Sequence, residues 1–292
     1  MPRMTRRALG ALIAVAALGA GPAAAQNRTF VFTAIPDQDE TRLVERFTKV
    51  AEYLQGKLGV PVKYLPVKSY PAAVTAFTND QVQLAWFGGF TGVQARRAVP
   101  GSEAIAQGAE DVAFKSYVIA NARTGLQPAR DFPKDLIGKS FTFGARASTS
   151  GRLMPEFFFR RNTGGKSPDE LFSRVGFSGD HSRTIQLVQS GAYEAGVLDY
   201  SVWETEKKAG KIDETQVKVI WETPTFPDYN WTVRGDVDAA FGPGFKDRLA
   251  AALLAIDDPA ILASFARSKF IPAKNGDYAP VEEVARTSGL FN

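Results

Sequence analysis

The residues best equipped for chemistry lie in two places. Ser148, Thr149 and Ser150 stand together between an alternating apolar run, Phe141 and Phe143, and an apolar-rich segment from Leu153 to Phe159. That order reads as strand, small-residue turn and helix start, which puts three hydroxyls at or just before the first turn of a helix. The first N–H groups of a helix have no internal partner and carry the positive end of its dipole, so hydroxyls and bare amides gathered there suit an anion. The same residues also serve as ordinary N-caps. His181, the only histidine, follows Gly179-Asp180, where it either meets a ligand or sits in a turn or cap. Ser148 or Ser150, His181, and Glu194 or Asp199 are the residue types of a serine hydrolase. The G-x-S-x-G elbow is absent, because Arg146 and Ser148 stand two residues before the two serines, so no enzyme is expected. One histidine without cysteine or a clustered acidic motif gives no metal ligand set, and no cofactor is expected. Arg146 and Arg152 flank the hydroxyl stretch and either draw anions toward it or remain solvated.

Positioning such residues needs a folded frame, and composition says which kind. Arg3, Arg6 and Arg7, the apolar stretch Leu9–Leu18 and Ala23-Ala24-Ala25 before Gln26 read as an export signal cleaved near Ala25. Thr5-Arg6-Arg7 fits twin-arginine export loosely and the Sec route equally. The formal charge of +4 includes the three arginines of that segment, which leaves about +1, so nothing argues for nucleic-acid binding. Without cysteine there is no disulfide and no thiolate, and stability must come from buried apolar surface. The length remaining after residue 25 exceeds a usual single core and suggests two domains.

The elements follow from periodicity. Thr29–Ala34, Val60–Val67 and Val82–Phe87 read as strands, separated by an amphipathic helix over Glu40–Leu58 and a short one over Ala72–Phe77. This β-α-β-α-β order predicts a parallel sheet, with Asp37, Ser69-Tyr70 and Phe87-Gly88-Gly89 beyond its carboxyl ends, where ligands bind. Asp37 and Asp39 read as turn residues. After a strand at Ser116–Ala120 a second unit begins: strand at Phe141–Gly144, helix after Ser150, short strand at Arg174–Phe177, helix at Ser182–Ser190, strand at Tyr193–Asp199, charged helix at Trp203–Lys211 and strand at Val217–Trp221. The segment with Pro224, Pro227 and Trp231 returns to the first unit, and helices at Phe245–Ile256 and Pro259–Phe265 pack back on it.

The ordered set Ala85-Trp86-Phe87-Gly88-Gly89, Ser148-Thr149-Ser150-Gly151, His181 followed by Gly191 and Glu194, and Val219-Ile220-Trp221 resembles the substrate-binding proteins of phosphate, phosphite and phosphonate ABC transporters, over about Phe30 to Phe270. The resemblance implies an α/β, two-lobed periplasmic binding protein fold of type II, closing on ligand about a hinge. The expected division is 1–25 signal, 26–120 with 222–292 the first lobe, and 121–221 the second.

Carried over by position, the resemblance implies ligand contacts from Ser148, Thr149, Ser150 and His181, and from Tyr70. Phe87 stands where relatives often carry tyrosine. An acidic contact falls on Asp228 or on Tyr229. Ser201 falls where relatives that bind aminoalkyl phosphonates place a carboxylate, so a compact oxyanion is expected: phosphite, phosphate, methylphosphonate, or a selenate- or sulfate-like ion. The implied partners are that small oxyanion and an ABC permease of the inner membrane, with the protein a periplasmic monomer. A sensor handing the closed form to a membrane histidine kinase is the alternative.

Overall fold

The computed structural model describes residues 28–291; the expected export signal lies outside them. The chain opens with β1 (Phe30–Ala34), α1 (Glu40–Leu58), β2 (Val62–Tyr64), α2 (Tyr70–Thr78), β3 (Leu84–Phe87), α3 (Gly89–Ala98) and β4 (Glu103–Gly108). It continues through β5 (Ser116–Asn121), β6 (Ser140–Phe143), a turn of π-type helix at Thr149–Leu153, α4 (Met154–Asn162), α5 (Pro168–Leu171), β7 (Arg174–Phe177), α6 (His181–Gln189), β8 (Ala195–Asp199), α7 (Tyr200–Lys208) and β9 (Val217–Glu222). It ends with β10 (Asn230–Val233), α8 (Val237–Phe241), α9 (Phe245–Leu254), α10 (Pro259–Phe265), β11 (Phe270–Pro272) and α11 (Ala279–Thr287).

The strands form two sheets, in the orders β11-β4-β10-β3-β1-β2 and β7-β6-β8-β5-β9. β1 pairs in parallel with β2 and β3, as the crossover helices require, but β10 enters antiparallel between β3 and β4, and β11 runs antiparallel to β4. The first sheet is therefore mixed rather than parallel. The second is mixed too: β6 is parallel to β7 and β8, whereas β5 is antiparallel to β8 and β9. β5, placed by the sequence with the first unit, belongs to the second sheet; its partners lie far along the chain, beyond what local pattern encodes. The chain passes between the sheets at two points, where Phe114 and Phe226 exchange both backbone hydrogen bonds at 2.9 Å. That paired crossing is the hinge of a two-lobed fold.

α1 shows how local chemistry sets an element. Asp39, read as a turn residue, is its N-cap and accepts from Thr41 N and Arg42 N at 3.1 and 3.3 Å, an arrangement that contributes about 1 kcal/mol. Leu43, Phe47, Val50, Leu54 and Leu58 recur every three or four residues and are buried, and Gly59 ends the helix at φ 69°. Phe47 meets Phe32, Tyr64, Trp231 and Phe265, so α1 is locked to the first sheet by aromatic packing. The second sheet is filled by Phe141, Phe143, Phe159 and Phe172, with Phe141 stacked on Phe172 at 4.3 Å. Both cores are rigid enough to hold the loops that meet between them.

Candidate functional site

The hydroxyl stretch is a tight turn built for close approach. Ser148 caps the π-type turn, its Oγ accepting from Gly151 N at 2.9 Å, and Gly144 N donates to Gly151 O at 2.8 Å. Ser116 Oγ donates to Ser150 O at 2.7 Å and pins the turn to β5. Ser148, Thr149 and Ser150 are all buried. The predicted cap and the predicted hydroxyl cluster are thus the same object: Ser148 does the capping and still keeps a proton to donate.

Thr149 reaches the other lobe. Its Oγ1 accepts from Phe90 N at 3.0 Å, and Asp228 Oδ1 accepts from Gly89 N at 2.9 Å. These are the first amides of α3, whose N-cap, Gly88, has no side chain to satisfy them. A Cβ on Gly88 would come within 3.0 Å of Thr149 Oγ1 and 3.1 Å of Asp228 Oδ1, so glycine is what lets the three meet.

His181 is the first residue of α6, whose cap Asp180 accepts from Arg183 N. Its own amide, unused by the helix, donates to Asp37 O across the cleft at 2.9 Å. Asp199 N donates to His181 Nδ1 at 3.3 Å, which makes Nδ1 the acceptor and leaves the proton on Nε2. A serine-hydrolase triad needs the reverse, Nδ1–H donating to a carboxylate. Here the Asp199 carboxylate is taken up by Ser201 N, Val202 N and Tyr229 Oη, and Glu194 binds Ser140 N at 2.7 Å. Among the described residues no group of three or more His, Cys, Asp or Glu is placed to hold a metal ion.

Four side chains around this turn are buried with a polar atom that has no partner: Asp37 Oδ1, Tyr70 Oη, His181 Nε2 and Asp228 Oδ2. Buried polar atoms are normally hydrogen-bonded, so four together mark a place where something else completes them. Burial and charge act on three of them together. Burial pushes the Tyr70 hydroxyl well above its ordinary value, Asp37 and Asp228 add to the rise, and Ser148 opposes it. Burial likewise raises the Asp37 carboxyl, against the pull of Arg46 and His181. Burial pushes Asp228 up to about 7; Gly89 N–H opposes this, while Asp111 and Asp199 reinforce it.

The choice between Asp228 and Tyr229 has a geometric difference behind it. Tyr229 Oη donates to Asp199 Oδ2 at 3.1 Å and its ring stacks on Trp86, whereas Asp228 keeps one oxygen unpartnered. Phe87 is fully buried beneath α2, edge-on to Phe77 at 5.7 Å, and brings packing rather than a polar atom. Ser201 Oγ accepts from Arg267 Nη1 at 3.3 Å. Arg267 is itself held bidentate by Asp111 at 2.7 and 2.8 Å; burial alone would lower its guanidinium, but that carboxylate raises it above the ordinary value. The sequence offers Asp199 only as a residue type of a hydrolase triad and Asp37 as a turn residue, whose one signal of a site role is its position beyond the carboxyl end of β1.

A family model described as "ABC transporter, phosphonate, periplasmic substrate-binding protein" matches residues 32–278. The chain is 40% identical over 260 residues to the probable ABC transporter phosphite binding protein PhnD1 of Prochlorococcus marinus, covering 87% of each. It is 26% identical over 237 residues to the phosphate-import protein PhnD of Mycolicibacterium smegmatis, covering 76% of this chain and 70% of that one. The structure of Prochlorococcus marinus PhnD1 in complex with methylphosphonate superposes with a TM-score of 0.85 at 39% identity, covering 89% of this chain and 98% of that one.

Proposed function

Because the chain belongs to the periplasmic substrate-binding proteins of phosphonate ABC transporters, we propose that it captures a small, singly protonated tetrahedral oxyanion, with phosphite and methylphosphonate foremost, between its two lobes for delivery to the permease. The observation that carries this reading is the set of four unpartnered buried atoms around the Ser148–Gly151 turn. Tyr70 Oη and His181 Nε2–H are neutral donors, as are the hydroxyls of the turn, so an anion is met without a buried countercharge. Asp228 Oδ2 asks for a proton between itself and the ligand. A neutral Asp228 donates that proton, and an ionised one accepts it from a ligand hydroxyl. Sulfate and selenate carry no such proton and are disfavoured, as is an aminoalkyl phosphonate, whose ammonium would come toward Ser201 and the Arg267 guanidinium behind it. His181 Nδ1 accepts from Asp199 N rather than donating to a carboxylate, an arrangement that supports binding and release of the ligand rather than a serine-hydrolase triad. Residues 1–25 would direct export and be removed near Ala25.

A thermal-shift panel of phosphite, methylphosphonate, phosphate, arsenate, sulfate, selenate and an aminoalkyl phosphonate tests the reading. A specific ligand at a hundred times its dissociation constant adds about 2.7 kcal/mol of stability. The first two should give the largest shifts and sulfate and selenate almost none; a panel with no response would remove the oxyanion altogether. Tyr70→Phe should weaken methylphosphonate about tenfold by isothermal titration, the worth of one neutral donor. It should leave the ligand-free melting midpoint unchanged or slightly higher, because the lost hydroxyl had no partner.

A further inference from the structure

The lobes are joined across the cleft by several bonds at the anion site, and an ion pair that lies apart from it joins them as well. Arg42, on the first turn of α1, places Nη1 2.8 Å from Oε1 of Glu206, on α7 of the opposite lobe. The Glu206 side chain is 5% exposed and that of Arg42 25%, so the pair is shielded from solvent far more than a surface ion pair. Neither charge helps its own helix. Arg42 sits near the positive end of the α1 dipole and Glu206 near the negative end of α7, where acidic and basic residues respectively would be favoured. Each is placed against its local field, and what offsets that is the partner across the gap.

Opening the cleft would not strand a buried charge. Ser182 Oγ, 3.4 Å from Glu206 Oε1, and Lys211 Nζ, 3.6 Å from Oε2, belong to the same lobe as Glu206 and stay with it, while water reaches the carboxylate. A small cavity of about 110 Å³ already lies beside the pair, lined by Asp39, Ser182, Gln186, Glu206 and Lys211 among others. Such a pair favours the closed form and can still let go.

We infer that Arg42 and Glu206 form an ionic clasp at the cleft mouth that sets how long a captured oxyanion is held without touching it. The inference rests on the binding reading above, since a holding time presupposes a ligand. The clasp acts on the closed state, so its loss speeds release and leaves encounter nearly unchanged.

The test uses Glu206→Gln, Arg42→Gln and the double variant of the full chain, with methylphosphonate and phosphite as probes in stopped-flow tryptophan fluorescence. Each single variant should release ligand about fivefold faster at low salt, with association within about twofold and the order of ligand preference kept. The double variant should be no faster than either single one, because the two residues share one interaction. In about 1 M salt, where the screening length falls to about 3 Å, the gap between wild type and variants should narrow only in part, because so shielded a pair is screened less than a surface one. Unchanged release rates, or two effects that simply add, would overturn the clasp. The His181 amide, which donates across the seam to Asp37 O, gives a ligand-free readout by hydrogen exchange. It should exchange about fivefold faster in Glu206→Gln, and equal exchange overturns the clasp. A wild type that binds neither probe overturns the ligand reading instead and leaves this second measurement to decide the clasp.

Discussion

Replacing Asp228 by asparagine is expected to weaken phosphite and methylphosphonate by roughly thirty- to a hundredfold and to remove the part of their pH dependence that comes from the proton shared with Asp228, leaving only the ligand's own titration. Asp228 Oδ1 is committed to Gly89 N, and an asparagine oxygen can keep that bond. Its amide nitrogen then takes the place of Oδ2 and presents fixed donors, so a ligand hydroxyl loses an acceptor, a charge-assisted bond worth about 2–3 kcal/mol. Sulfate should gain over wild type, because a donor now faces an oxygen that carries no proton.

The sign with pH follows from where the proton sits. On the proposed reading the complex holds one proton between Asp228 and the ligand. Above about pH 7 the free carboxyl has lost its proton, so binding must take one up, and affinity should fall about tenfold per pH unit once the free ligand is deprotonated as well. The same group links pH to stability. Its folded value of about 7 lies above the ordinary 3.8, so the stability it contributes is fully present below 3.8 and is lost as pH rises through about 7. An asparagine side chain does not titrate, and ligand-free denaturant melts of Asp228→Asn should be flatter over that window than wild type. A variant that keeps the wild-type pH slope for binding would show that Asp228 does not face the ligand.

Gly151→Ala should cost roughly ten- to a hundredfold in affinity. A Cβ there would lie 2.9 Å from Ser148 Oγ, 3.1 Å from His181 Cε1 and 3.2 Å from Gly144 Cα. Gly144 cannot retreat, since its amide is bonded to Gly151 O, and Ser148 cannot turn away without losing its cap on Gly151 N. The strain, about 1–3 kcal/mol for overpacking, must move the turn or push His181 out of line, and either displaces donors aimed at the ligand. Gly56→Ala is the control: it lies in α1 with nothing within 4 Å, and should leave binding alone and raise stability by about 0.5–1 kcal/mol. Calorimetry of both variants with methylphosphonate decides it. Wild-type affinity in Gly151→Ala would mean that the turn is not the anion cradle.

Much of the frame was legible because its causes are local. α1 announces itself through apolar spacing, an Asp39 cap and Gly59, all within one short window of the chain. The two α/β units and the hydroxyl turn at Ser148–Ser150 are likewise written in short stretches. β10 and the sheet of β5 were not. Trp231 pairs with Ala106 and Val118 with Trp221, and such contacts depend on the whole chain's path rather than on any window of it. α3 is not legible for a related reason, since its capping groups come from Thr149 and Asp228, far along the sequence.

By itself the sequence determined that hydroxyls gather at a helix start, that one histidine and no cysteine accompany them, and that two α/β units surround them. Those facts reside in residue types and in neighbours a few positions apart, which solvent-driven periodicity and capping translate directly into structure. Only the tertiary fold decided which side chains keep a free polar atom. Asp228 and Tyr229 are adjacent in the chain, yet Tyr229 is satisfied by Asp199, thirty residues away, and Asp228 is left with Oδ2 unpaired. A single step in the chain thus separates a hydroxyl spent on structure from a carboxylate that, on the proposed reading, is available to the ligand.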